Sequence, residues 1–94
     1  MIDKIHQIGL MRGAIEDYRN GLMSLQELVS AIDGLLSVID DNALWNDVFE
    51  PLFEIEQVNA SSYLPHYDFE RYGRSTVELA LEKILEKTGS YSAR

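Results

Sequence analysis

The string Ser24-Leu25-Gln26-Glu27 has the layout of a capping box. In such a box the serine hydroxyl accepts from the backbone N–H three residues on, and the glutamate reaches back to the serine's own N–H. Behind it, Leu25, Leu28, Val29, Ile32, Leu35, Leu36 and Ile39 recur at three- and four-residue spacing and mark one apolar stripe. Glu27, Ser30 and Ser37 fall opposite, with Asp33 and Asp40 on the flank, and the helix is expected to end near Asp40. Met23 and Leu28 bracket the cap as a hydrophobic staple. Ser75-Thr76-Val77-Glu78 repeats the layout ahead of Val77, Leu81, Ile84, Leu85 and Thr88, with Gly89 as the expected stop. Strand-like alternation is almost absent, so the sequence predicts an all-α fold.

Two further helices complete the reading. The first is expected from about Ile2 to Arg19, with Ile5, Ile8, Met11, Ile15 and Tyr18 inward and Arg12, Glu16 and Arg19 pairing along its surface. Asn20-Gly21 is a natural stop, because both residues tolerate the left-handed conformation. The third helix is expected to start at Asp41 or Asn42, either of which can cap, and to fade between Ala60 and Ser62. Its inward face is read as Leu44, Trp45, Val48, Phe49, Leu52 and Ile55. Pro51 lies within it and predicts a kink or a break near Glu50, since an interior proline removes one backbone bond and clashes with the preceding turn. The segment SSYLPHYDFERYGR is expected to be irregular. The predicted architecture is an antiparallel four-helix bundle with a kinked or broken third helix, one domain over residues 1–94, its tail at 90–94 expected to fray.

Composition narrows the function classes. There are no cysteines, which removes disulfides and thiolate metal sites and fits a reducing cytoplasm. No basic-then-apolar leader opens the chain and no apolar run is long enough to span a bilayer. A net charge of −8 disfavours nucleic acid and anionic membranes as partners and favours solubility or a basic partner. No nucleophile motif, glycine-rich phosphate cradle or Glu-x-x-His pair is present, and His6 and His66 are isolated. Asp40-Asp41-Asn42 offers calcium-type ligands without the spacing or glycine of a calcium loop, and reads as a helix junction. The expectation is a non-enzyme with no cofactor and no metal.

The charge is unevenly distributed. Between Arg19 and Arg71 lie ten acidic residues and no lysine or arginine. Asp47, Glu50 and Glu54 are predicted on the outer face of the third helix, where like charges three and four residues apart oppose one another. Asp40 and Asp41 add charge at its start, and Asp33 extends the acidic surface along the second helix. One-signed surfaces steer association with partners of the other sign, so these six carboxylates are the candidate partner-binding residues. Tyr63, Tyr67 and Phe69 join them as aromatic anchors from the irregular segment.

In NGLMSLQELVSAIDGLL, NALWNDVFEPLFEIEQVNA and STVELALEKILEKT, together about half of the chain, the layout resembles the small acidic all-helical bacterial immunity proteins, of the kind paired with colicin D-like and contact-dependent growth inhibition toxins. The resemblance implies a protein that binds and neutralises its cognate toxin in the producing cell. Toxins of this kind are often RNases with basic active sites, where carboxylates of the inhibitor can take the positions of substrate phosphates. The likeness is one of layout, and no family residue is carried over by it. The rival expectation is an acidic helical adaptor that binds another cellular protein.

Overall fold

Four helices carry the chain in the computed structural model, which describes the backbone of residues 4–92 and the side chains of residues 4–89. They are α1 (Lys4–Arg19), α2 (Leu25–Leu36), α3 (Asn42–Ser61) and α4 (Arg74–Ser92), with no strand among the described residues. A five-residue π-helical turn, Phe69–Gly73, leads straight into α4. Each helix packs on the next and α1 closes against α4. The cross-helix bonds fix the directions. Gln26, at the start of α2, meets Asn59 near the end of α3. Arg12 reaches Leu85 while Arg19, two turns on, reaches Glu78, so α1 and α4 run oppositely. The result is an antiparallel bundle of 44 × 24 × 20 Å.

The core is assembled from the predicted stripes. Ile8, Met11 and Ile15 of α1, Leu28, Ile32 and Leu36 of α2, Leu44, Val48, Leu52 and Ile55 of α3, and Val77, Leu81 and Ile84 of α4 are all buried. Ser24 accepts from the Glu27 N–H at 3.1 Å and Glu27 accepts from the Ser24 N–H at 2.9 Å, which completes the capping box. Gly21 stands at φ +77°, and its N–H donates to the Tyr18 carbonyl while Leu22 donates to Asp17. This is a Schellman closure, and only a residue tolerant of positive φ can occupy the turn.

Several expectations change. Ile5 is 42 % exposed, because the inward stripe of α1 begins one turn later, at Ile8; Ile2 lies outside the described residues. Arg12 and Arg19 are drawn across to α4 instead of pairing along α1. Arg12 donates to the Leu85 carbonyl at 2.7 Å and to Thr88 Oγ1 at 2.9 Å, and Arg19 bonds Glu78 and Glu82. α2 stops at Leu36, four residues before Asp40, where the Ser37 hydroxyl turns back onto the Gly34 carbonyl. Of the kink and the break expected at Pro51, the break is excluded, since α3 is one helix through it. Proline forfeits a bond there, but Val48, Leu52 and Ile55 are buried on either side and hold both turns to the core.

The last helix is capped differently from the prediction. Asp68, not Ser75, is the cap, its carboxylate accepting from the Arg71 N–H at 3.2 Å. The helical path therefore begins at Phe69, inside the segment expected to be irregular, and Ser75 lies within α4. Gly89 does not end α4, whose backbone stays helical through Ser92; residues 93 and 94 of the expected frayed tail lie outside the described residues.

Candidate interaction surface

Two surfaces flank the buried stripe of α3. The first is aromatic. Trp45, Phe49 and Phe53 stand four residues apart, and their rings stack with centroids 4.6 Å and then 6.1 Å apart, at interplanar angles of 10° and 23°. Steps of four residues turn about 40° around a helix, so the ladder swings progressively out of the core. The exposures follow that drift, at 38 %, 42 % and 47 %. The expectation that Trp45 and Phe49 point inward is thus corrected. Leu44, Val48, Leu52 and Ile55 fill the interior, and the rings beside them are left facing solvent.

The second surface is acidic. Asp47, Glu50 and Glu54 line a cleft of about 150 Å³ together with Pro51 and, from α4, Lys83 and Lys87. Lys83 Nζ lies 3.5 Å from Glu54 Oε1. The cations missing from this stretch of sequence therefore come from the neighbouring helix, and the stripe edges a seam instead of standing alone on an outer face. Asp41 is also engaged. It caps α3 by accepting from the Leu44 N–H at 3.0 Å and pairs with Lys4 at 2.8 Å, and these contacts, the backbone bond first, hold its carboxyl below the usual range. Asp33 and Asp40 are exposed on α2 and on the link to α3.

The aromatic segment after α3 divides into structural and free parts. Tyr63 is exposed and its hydroxyl donates to Gln26 Oε1 at 3.2 Å, the atom that also receives Asn59. Tyr67 and Phe69 are partly buried against the core, and the Arg74 guanidinium sits 5.6 Å from the Phe69 ring. Leu64, Pro65, His66, Tyr67 and Tyr72 form a shallow apolar hollow of about 550 Å³. The candidate residues thus do not converge on one point. Asp47, Glu50 and Glu54 come together, Asp41 anchors a helix end, Asp33 and Asp40 stand apart, and Tyr67 and Phe69 brace the turn into α4. Phe53 was missing from the predicted set, although its place in the series 45, 49, 53 is the signal that reveals it.

The partition of charge is sharper than the sequence gap suggests. Glu27, Asp33, Asp40, Asp41, Asp47, Glu50, Glu54 and Glu56 lie on α2, α3 and their link, with no lysine or arginine among them. The other eight carboxylates are matched by all eight lysines and arginines elsewhere in the chain. The whole net charge of −8 therefore resides on the α2–α3 half. Among the described residues no three histidine, aspartate or glutamate side chains gather as a metal site, and no helix is long and apolar enough to cross a membrane.

Fold and surface together define an acidic four-helix bundle with a solvent-facing aromatic ladder on its charged half. Compared with protein-family models, curated proteins and solved structures, the chain matches none.

Proposed function

We propose that this protein is a stoichiometric inhibitor that binds and neutralises a cognate bacterial toxin, of the RNase type, through its α2–α3 half. The observation that carries the reading is the placement of the entire net charge on the half that also exposes Trp45, Phe49 and Phe53. A nuclease domain must hold phosphates and therefore presents cations. Carboxylates on an inhibitor can satisfy those cations, while exposed rings supply the desolvated contact that charge alone does not. The resemblance in layout to small acidic immunity proteins points the same way. On this reading the protein acts by binding, without catalysis, in the cytoplasm where the toxin is made.

An acidic adaptor for another cellular protein is the second reading. It is favoured by the apolar hollow at Leu64–Tyr72, whose lining carries no carboxylate to meet a cation. The test begins with the reading frame beside the gene. Its product, purified and given RNA, should cleave it, and one equivalent of this protein should stop the cleavage. Undiminished cleavage at several equivalents would remove the toxin reading and leave the adaptor.

A further inference from the structure

Exposed apolar area on a small domain is informative when it is contiguous, and three stacked rings on one helix are contiguous. The ladder is also bracketed by charge. Glu50 precedes Phe53 by three residues and Glu56 follows it by three, so the two carboxylates lie within one turn of the last ring. Neither forms a salt bridge among the described residues, although Glu50 shares its cleft with Lys83 and Lys87, whereas Asp41 and Glu54 are already paired with Lys4 and Lys83. Rings facing solvent beside unpaired carboxylates are the two halves of an arginine site. The planar guanidinium stacks on an aromatic face and presents a fork of donors to a carboxylate at its edge.

We propose that the Trp45–Phe49–Phe53 ladder docks an arginine-bearing amphipathic segment of a protein partner, with guanidinium groups stacked on exposed ring faces and forked onto Glu50 and Glu56, and apolar side chains packed along the ring edges. This deepens the function proposed above and rests on it for the sign of the partner's charge. Charge complementarity selects the occupant. Phosphate backbones and anionic lipids are repelled by a half-molecule that carries −8. A second copy of this chain would bring the same charge against itself. Arginine is favoured over lysine because lysine offers a point charge without the plane that matches a ring.

The chain contains a single tryptophan, and it is the first ring of the ladder, so its fluorescence reads the site directly. The probe is a synthetic amphipathic helical peptide with leucines at i and i+4 and arginines beside them, set against otherwise identical lysine and glutamate peptides. The arginine peptide should shift Trp45 emission saturably, the lysine peptide should bind several-fold more weakly, and the glutamate peptide should not bind. Phe49→Ala/Phe53→Ala should weaken the arginine peptide by about tenfold or more, as loss of an aromatic anchor does. Circular dichroism should show an unchanged fold for that variant, since both rings face solvent. Glu50→Gln/Glu56→Gln keeps the rings and should weaken binding while flattening its salt dependence.

No response to the arginine peptide, or an equal response to the glutamate peptide, overturns the inference. So does sedimentation showing a dimer that Phe49→Ala/Phe53→Ala dissolves, because the occupant is then a second copy. The two readings can fail separately. If no toxin is neutralised but the arginine peptide binds the ladder, the docking chemistry stands without the toxin. If the toxin is neutralised equally well by Phe49→Ala/Phe53→Ala, the toxin reading stands and the ladder is not its docking surface.

Discussion

A Cβ added to buried Gly73 would lie 2.6 Å from the Tyr67 hydroxyl, 2.8 Å from Val58 Cγ1 and 2.9 Å from Phe69 Cδ1. All three distances are below normal contact, so the absence of a side chain at this position lets the π-helical turn sit against α3. Gly73→Ala is expected to cost about 1–3 kcal/mol, the range for overpacking, read from urea denaturation. Tyr67→Phe removes the nearest atom, so the double variant should lose less than the sum of the singles; strict additivity would mean that Tyr67 does not bear on Gly73. Asp41 gives a pH prediction. Its folded pKa is depressed by the Leu44 N–H and by Lys4, so its contribution to stability is present above the ordinary aspartate value and is lost as pH falls through the lower folded one. Asn still caps a helix but carries no charge. The denaturation midpoint of wild type should therefore exceed that of Asp41→Asn near neutrality, and the gap should close in acid below about pH 4. Parallel curves across that range would show that the Lys4 pairing adds nothing.

At the scale of the helix, burial separates neighbours that periodicity treats alike. Ile32 is fully buried in α2 and Leu35 only partly, although both belong to its predicted stripe. Ile32→Ala should cost about 2–5 kcal/mol and Leu35→Ala well under that. Equal losses in a denaturation experiment would place Leu35 in the core. The comparison also shows what was legible in the sequence. The Ser24 capping box, the Asn20-Gly21 stop and the Asp41 cap depend on residues within one turn of each other, so a local reading finds them. The Ser75 box met the same local rule and failed, because Asp68 begins the helical path seven residues earlier and leaves Ser75 inside it. At Pro51 the break, one of the two outcomes that local reading allowed, does not occur. The proline's local penalty is real, but tertiary burial of both flanking turns outweighs it. Trp45 and Phe49 sit one position from residues that are fully buried, and which side of such a boundary is covered depends on helices far away in sequence. The candidate site was legible in its charge and not in its pairing, since Lys4 and Lys83 lie 37 and 29 residues from the carboxylates they meet.

For the molecule as a whole, the acidic stripe and the ring ladder should affect different rates. Changing Asp47, Glu50 and Glu54 together to their amides should slow association with a basic partner, most at low salt, because exposed charges act at long range only when unscreened. Truncating Phe49 and Phe53 should instead speed dissociation, since most losses of short-range contact appear there. Stopped-flow traces for a purified partner would separate the two; an amide variant with unchanged association at every ionic strength would make the stripe a solvated seam. The amide variant also leaves Lys83 and Lys87 without their acidic neighbours in the cleft, so its stability should not rise as it would for an isolated row of like charges. A body with −8 on one half and a balanced other half is a permanent electric dipole. Near a cation it feels a torque as well as a pull, and the torque turns α2 and α3 forward before any atoms touch. The protein would then arrive at a positively charged surface already facing it, with its rings in the leading position.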